Sequence, residues 1–326
     1  MSCRKRPSLP FMTVARIGTV LAALLCLFAS AASVAHATQK TAVSLSPHLT
    51  ELIYAAGAGE HLLGVAQDSN YPPAAARLPQ VGSGVRPNVE RIAVLRPDVI
   101  LAWGYKSSQH LYPALRKLDI PMHYQAPASL DAIINDIEEL GALFGTQAAA
   151  RATTQQLRKV VRTTRQRYQN AARIKTFVMI SQEPLYTLGA NSFVIDALHA
   201  CGAVSAFETL TTPAPVVSRE QLLFAQPQAV LFAANDGVAN NDNHNDKIKD
   251  SDSSEHNKNQ IGRYFAAMDL ALQHDQLIGM NPDIVFRPTD RLIRSLPALC
   301  SKIDRIRRRL APAASESPLP PPRHLP

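Results

Sequence analysis

One helix–turn–strand pattern occurs twice in this chain. Residues 88–102 read NVERIAVLRPDVILA, and residues 218–232 read SREQLLFAQPQAVLF. Each has glutamate in the third place, Glu90 and Glu220, and proline seven positions later, Pro97 and Pro227. Each then runs into a short apolar stretch, Val99 to Ala102 and Ala229 to Ala233. Proline ends a helix, and a brief apolar run after it reads as a buried strand. A second echo keeps the same order: AGA at 56–58 and CGA at 201–203 each close a helix behind the first strand of a half. A chain that writes the same unit twice is constrained to two similar lobes.

The rest of the pattern agrees. TAVSLS at 41–46 reads as a strand, PHLTELIYAAGA at 47–58 as a helix with proline at its start, and LLGVA at 62–66 as a strand. Helix 89–95, strand 99–102, helix 108–118, strand 120–124 and helix 129–143 follow. Strands alternating with helices predict a parallel α/β sheet. From Thr146 to Asn170 there is no Gly or Pro, and Ala150, Leu157, Val161, Thr164 and Tyr168 fall at helical spacing. That segment predicts one long helix between the lobes. Alternation then restarts with strand 175–181 and helix 191–203, and it finishes with helix 261–272, strand 276–280 and helix 289–309. The fold class is therefore α/β: two similar parallel-sheet lobes, joined by one long helix, with a ligand cleft between them. The organisation expected is a leader at 1–37, a first lobe at 38–145, a joining helix at 146–171, a second lobe at 172–310 and a Pro-rich tail at 311–326. Within the second lobe, residues 235–259 are rich in Asn, Asp and Ser and predict disorder.

The leader carries Arg4, Lys5, Arg6 and Arg16 without an acid, then an apolar run from Ile17 to Leu27, then Ala35-His36-Ala37. That order is a cleaved secretory signal, too short in its apolar part for a membrane span. Its removal lowers the formal charge of +8 to +4, and nothing in the remainder calls for nucleic acid. The cations from Lys302 to Arg309 read as a helix C-terminus, where they favour the dipole. Two cysteines stay in the mature chain, Cys201 and Cys300. In an exported protein the even count predicts a disulfide, the alternative being two buried thiols.

No catalytic constellation stands out: there is no G-x-S-x-G, H-E-x-x-H or P-loop. The Asn/Asp-rich stretch lacks the order of an EF-hand, and no metal or cofactor is expected. Ligand capture between lobes is the better expectation, because pockets favour such junctions. Residues just after strands would line it: Pro47 and His48, Tyr71, and Trp103 on one side, with Tyr186, Asp283 and Arg287 on the other. For Trp103 the plain alternative is lobe packing, and for Arg287 a surface ion pair with Asp283.

SLSPHLTEL, NYPP, QVGSG, NVERIAVLRPDVILAW, the long helix, VSRE and NPDIVFRPTDRL together resemble the helical-backbone periplasmic binding proteins of ABC importers, the cobalamin binders above all. The resemblance spans 42–234 and 261–303. It implies a periplasmic monomer that binds cobalamin or a related large planar ligand and delivers it to a permease dimer with its ATPase. It places Pro47, Tyr71, Trp103, Tyr186, Asp283 and Arg287 on the ligand cleft. It sets Cys201 and Cys300 at a disulfide, and Glu90 and Glu220 at two lobe-top acids that dock on permease arginines. One acid per lobe suits a two-fold partner. Gly84 and Ala214 stand where cleft tryptophans are expected. Haem, with Tyr71 or His48 as axial ligand, or a ferric siderophore is the alternative ligand; an exported metal-dependent enzyme is the distant alternative.

Overall fold

A computed structural model describes residues 40–104, 112–234 and 250–311. The leader, residues 235–249 and nearly all of the Pro-rich tail lie outside the described residues. In chain order the first lobe holds β1 (Ala42–Ser44), α1 (Pro47–Ala55), β2 (Leu62–Gly64), α2 (Val89–Leu95), β3 (Val99–Trp103), β4 (Met122–Gln125) and α3 (Leu130–Phe144). Helix α4 (Gln147–Tyr168) follows. The second lobe holds β5 (Ile174–Met179), α5 (Phe193–Ala200), β6 (Ala203–Ser205), α6 (Arg219–Ala225), β7 (Ala229–Ala233), α7 (Asp250–Ala266), β8 (Leu277–Met280), α8 (Pro282–Val285) and α9 (Asp290–Leu310).

Both sheets are parallel and have the same topology, β2-β1-β3-β4 and β6-β5-β7-β8. The repeated sequence unit sits at the same place in each. Asn88 and Ser218 are the N-caps of α2 and α6, and each side chain accepts the N–H three residues on, from Arg91 and Gln221. Each helix buries one residue, Ile92 or Leu222. Each ends on a left-handed residue, Arg96 or Gln226, both at φ 47. Pro97 and Pro227 are then buried, and β3 and β7 bury every residue but the last.

Apolar side chains of α1, α3, α4, α5 and α9 form one continuous cluster with residues of both sheets. Helix α4 is the seam. Its buried face is Ala150, Leu157, Val161, Thr164 and Tyr168, the stripe expected from spacing, with Thr154 added. At about 1.5 Å per residue its 22 residues reach roughly 33 Å. Ion pairs hold the seam in register. Arg158 of α4 donates to Glu138 of α3 at 2.9 Å, and Arg165 pairs with Asp131 at 2.7 Å and with Asp196 of α5 at 3.0 Å. Asp196 also accepts the N–H of Leu130 at 2.8 Å, so a carboxylate of the second lobe caps a helix of the first.

Two expected elements differ. The reading of helix 108–118 is corrected over its described part, where only a 3-10 turn at Leu115–Leu118 forms. Pro113 gives no backbone donor there, and Asp119 at φ 54 closes the turn at once. The helix expected at 261–272 instead runs Asp250–Ala266, so residues 250–259, read as part of a disordered stretch, are helical. Ile261 and Phe265 are buried and anchor its C-terminal half, from which a helix extends at low cost per residue. Pairs from Glu255 to Lys258 and to His274 support the extension. A polar composition hides this, because the anchors lie beyond it.

Cys201, at the C-cap of α5, is bonded to Cys300 in α9 with Cα atoms 4.8 Å apart. Near it the basic end of α9 serves as a tie. The Arg307 guanidinium donates to the carbonyls of Ala172, Cys201 and Gly202 at 2.8, 2.8 and 3.0 Å. The sequence separation of 99 makes the disulfide worth about 4–5 kcal/mol on the chain-entropy account. Cys201→Ser/Cys300→Ser is expected to lower the calorimetric midpoint by roughly 8–20 °C; an unchanged midpoint would show that the α5–α9 packing suffices.

Candidate functional site

The site grows from strand ends. Pro47 is the first residue of α1, just beyond β1, and Trp103 is the last of β3. Residues 99–102 are buried while Trp103 is 39% exposed, so the strand delivers an indole to the surface. His48 packs edge-on against it, with ring centres 4.4 Å apart and planes at 85°. The Nε2 of His48 lies 3.2 Å from the Ser46 hydroxyl. Burial, then the Arg287 cation, push His48 down to about 3, so the ring is neutral. The equivalent of Trp103 on β7 is Ala233, exposed but small, so only one lobe offers an aromatic platform at this point.

Tyr71, on the loop after β2, is equally exposed and lies under the guanidinium of Arg291 of α9, 4.2 Å from the ring centre. Its neighbour Asn70 joins the lobes. Asn70 Nδ2 donates to Asp283 of α8 at 2.9 Å, and its Oδ1 accepts from Arg287 at 3.0 Å. Arg287 also pairs with Asp283 at 2.7 Å and with Glu51 of α1 at 3.0 Å. Arg291 reaches the same Glu51 oxygen at 3.4 Å. The Glu51 side chain is 1% exposed. Burial raises its pKa, and the two arginines oppose that. Arg287 thus does pair with Asp283, but at the lobe junction rather than on open surface.

Of the six residues expected on the cleft, Tyr71, Asp283 and Arg287 are joined through Asn70 and Arg291. Pro47 and Trp103 are joined through His48. Tyr186 lies on the loop after β5, half-buried, with its backbone bridged to Ser181 and Val216; it belongs to neither group. Glu51, Asn70 and Arg291 were missed by sequence reasoning. A signal existed for Glu51: α1 buries Leu49 through Ile53 without a gap, and an acid inside such a run requires a partner. Arg291 lies four residues after Arg287, in the first turn of α9.

The two positions that lack tryptophan have different surroundings. A Cβ on Gly84 would stand 2.7 Å from the Leu45 carbonyl oxygen, so this loop lies too close to β1 for a side chain. Ala214 is exposed, with room outside it. Glu90 and Glu220 are both exposed near the starts of α2 and α6. Hydrogen bonds from Ser218 and from its own backbone N–H hold the Glu220 carboxyl below its usual value.

A separate polar cavity of about 740 Å³ opens beside β4, lined in part by Arg116, His123, Gln125, Asp136 and Glu139. Burial, then the Glu139 charge, push Asp136 up to about 7. Its Oδ2 is buried without a partner. Among the described residues no group of three His, Cys, Asp or Glu is placed to hold a metal ion.

Removing Glu51 would take the anion shared by two largely shielded guanidinium groups and leave Arg287 only Asp283. Glu51→Ala is expected to cost about 3–5 kcal/mol in urea unfolding; a loss below about 1 kcal/mol would show that water reaches the arginines. For Asp136 the effect of burial is reinforced by Glu139 rather than opposed by cations. A carboxyl whose pKa is raised on folding binds its proton more tightly in the native state, so stability falls as pH rises from about 4 to 7. Asp136→Asn should match the parent at pH 4 and gain about 1–2 kcal/mol at pH 8 after allowance for solvent screening. Equal gains at both pH values would locate the effect outside titration.

Known proteins share this fold. Residues 43–258 match the family model described as periplasmic binding protein. The vitamin B12-binding protein of Vibrio cholerae serotype O1 is 30% identical over 259 residues, covering 79% of this chain and 87% of the relative. The vitamin B12-binding protein of Yersinia pestis is 35% identical over 199 residues, 61% of this chain and 71% of that one. Among solved structures, the periplasmic vitamin B12 binding protein BtuF of Vibrio cholerae superposes with a TM-score of 0.68 at 28% identity, over 82% of this chain and 98% of that one. The periplasmic heme-binding protein RhuT of Roseiflexus sp. RS-1, at 21% identity, TM-score 0.62 and coverage of 82% and 99%, shares the fold. With two like-wound lobes joined through one long helix, and a family match over most of the folded chain, this protein belongs to the periplasmic binding protein family.

Proposed function

We propose that this protein captures cobalamin in the periplasm and hands it to an ABC import permease. The observation that carries the ligand is the naming of relatives 30–35% identical as vitamin B12-binding proteins. The geometry supports it. Trp103 gives an exposed flat face at the end of a parallel strand, where α/β sheets bind ligands. Pro47, Tyr71, Tyr186, Asp283 and Arg287 are the further candidates for the cleft. Asp283 and Arg287 would meet a ligand from within the Asn70 network, as groups already oriented. The N-terminal 37 residues would serve as the cleaved export signal, and the mature protein would act as a monomer. Glu90 and Glu220 would meet permease arginines, one acid for each half of a two-fold partner attached to its ATPase. Such charge pairs strengthen when the interface excludes water.

Trp103 carries the largest ring among the cleft candidates, so its loss should cost most. Calorimetry of the mature protein should detect cyanocobalamin with quenching of the single tryptophan. Trp103→Ala should bind about tenfold more weakly, near 1.4 kcal/mol. Ala214→Trp should tighten binding, since that position is open; Gly84→Trp should weaken it by displacing the loop from Leu45. Preference for haemin or a ferric siderophore in the same titration would overturn the ligand, and unchanged affinity in Trp103→Ala would remove that residue from the site.

A further inference from the structure

The two docking acids have company. Val94 is 81% exposed and Phe224 is 92% exposed, among the largest exposures of any apolar side chain described. Each lies four residues after its acid, Glu90 or Glu220, and so one helical turn along the same helix face. Both stand just before the left-handed residue that ends the helix, Arg96 or Gln226. From residue 90 to residue 97, and again from 220 to 227, the order of exposed, half-buried and buried positions is the same. A lone exposed apolar residue needs no explanation. Two at equivalent positions of a duplicated unit, each beside an exposed acid, do need one. Neither contributes to the core: the residue that fastens each helix is Ile92 or Leu222.

We infer that Val94 and Phe224 are apolar anchors that seat this protein on a two-fold symmetric partner, each entering a greasy socket beside the cation that meets Glu90 or Glu220. The inference rests on the reading that an import permease docks at those acids. The occupant follows from complementarity on the page. Two like patches, one per lobe, each acid next to apolar, fit a partner that offers the same cation-and-socket pair twice. Within each patch the roles divide. The acid steers approach and its effect falls with salt. The apolar side chain is buried only after seating, so it governs departure and is insensitive to salt. Full burial of one such side chain is worth about 1.5–3 kcal/mol, on the order of a tenfold to hundredfold change in dissociation rate.

The test uses the mature protein and its permease–ATPase complex in lipid nanodiscs, with surface plasmon resonance from 0.05 to 0.5 M salt and calorimetry with cyanocobalamin as a check on the cleft. Val94→Thr/Phe224→Ser is expected to dissociate at least tenfold faster, with the salt slope of association and the cobalamin affinity unchanged. Glu90→Gln/Glu220→Gln is expected to associate more slowly, with a flatter salt slope. Val94→Phe, which adds area at a position exposed in the free protein, is expected to slow dissociation at least threefold. If the acid variant is impaired and the apolar variant is not, the anchors are overturned and the docking reading stands. If neither variant is impaired, this face is not the docking face and both fail. Lost cobalamin binding in the apolar variant would also overturn the inference, by placing those side chains in support of the cleft.

Discussion

The junction of the lobes turns on one buried carboxylate. Glu51 sits on a helix of the first lobe and is reached by two arginines of the second, Arg287 and Arg291. An unpaired charge in that position would be costly to keep ionised, so the two lobes must stay close enough to supply its partners. The same arginines organise what faces outward. Arg287 orders Asn70 and Asp283, and Arg291 covers Tyr71. The floor of the junction and three of the candidate ligand residues, Tyr71, Asp283 and Arg287, are therefore one charge network. A ligand that recruits Asp283 or Arg287 meets side chains already held in place, which lowers the ordering cost of binding.

Behind that network lies a second attachment of another kind. The seam of α4 is apolar, with Asp196 capping α3 and Arg165 tying both neighbours. The lobes are thus held by a charge network at Glu51 and by an apolar seam with its own ion pairs at α4. This arrangement suits a receptor whose cleft need alter little between free and bound forms.

Duplication explains the frame, and divergence explains the site. The two sheets share strand order, and the α2–β3 and α6–β7 units share caps, burial and left-handed ends. Where the copies differ, chemistry follows. Trp103 faces the surface from β3, while its counterpart Ala233 offers no ring. The disulfide ties α5 to α9 in the second lobe. Among the described residues, a helix between the third and fourth strands, α7, is seen in the second lobe only. Symmetry is kept at Glu90, Glu220 and the exposed Val94 and Phe224, and broken at the candidate cleft.

The sequence by itself determined the architecture: two α/β lobes, the long joining helix and the proline stop of each repeated unit, with Cys201 and Cys300 as a candidate pair that the structure bonds. The elements are local matters of periodicity and proline placement, legible within each segment. It also pointed to strand-end residues such as Trp103 and Pro47, since parallel strands deliver their ends to one side. Only the tertiary structure decided which side chains meet. Glu51 and Arg291 are 240 positions apart, and Asn70 and Asp283 are 213 apart. No periodicity links such pairs; the fold of both lobes brings them together. For the same reason a polar run at 250–259 became helix, because its apolar anchors Ile261 and Phe265 found a core that composition alone does not reveal.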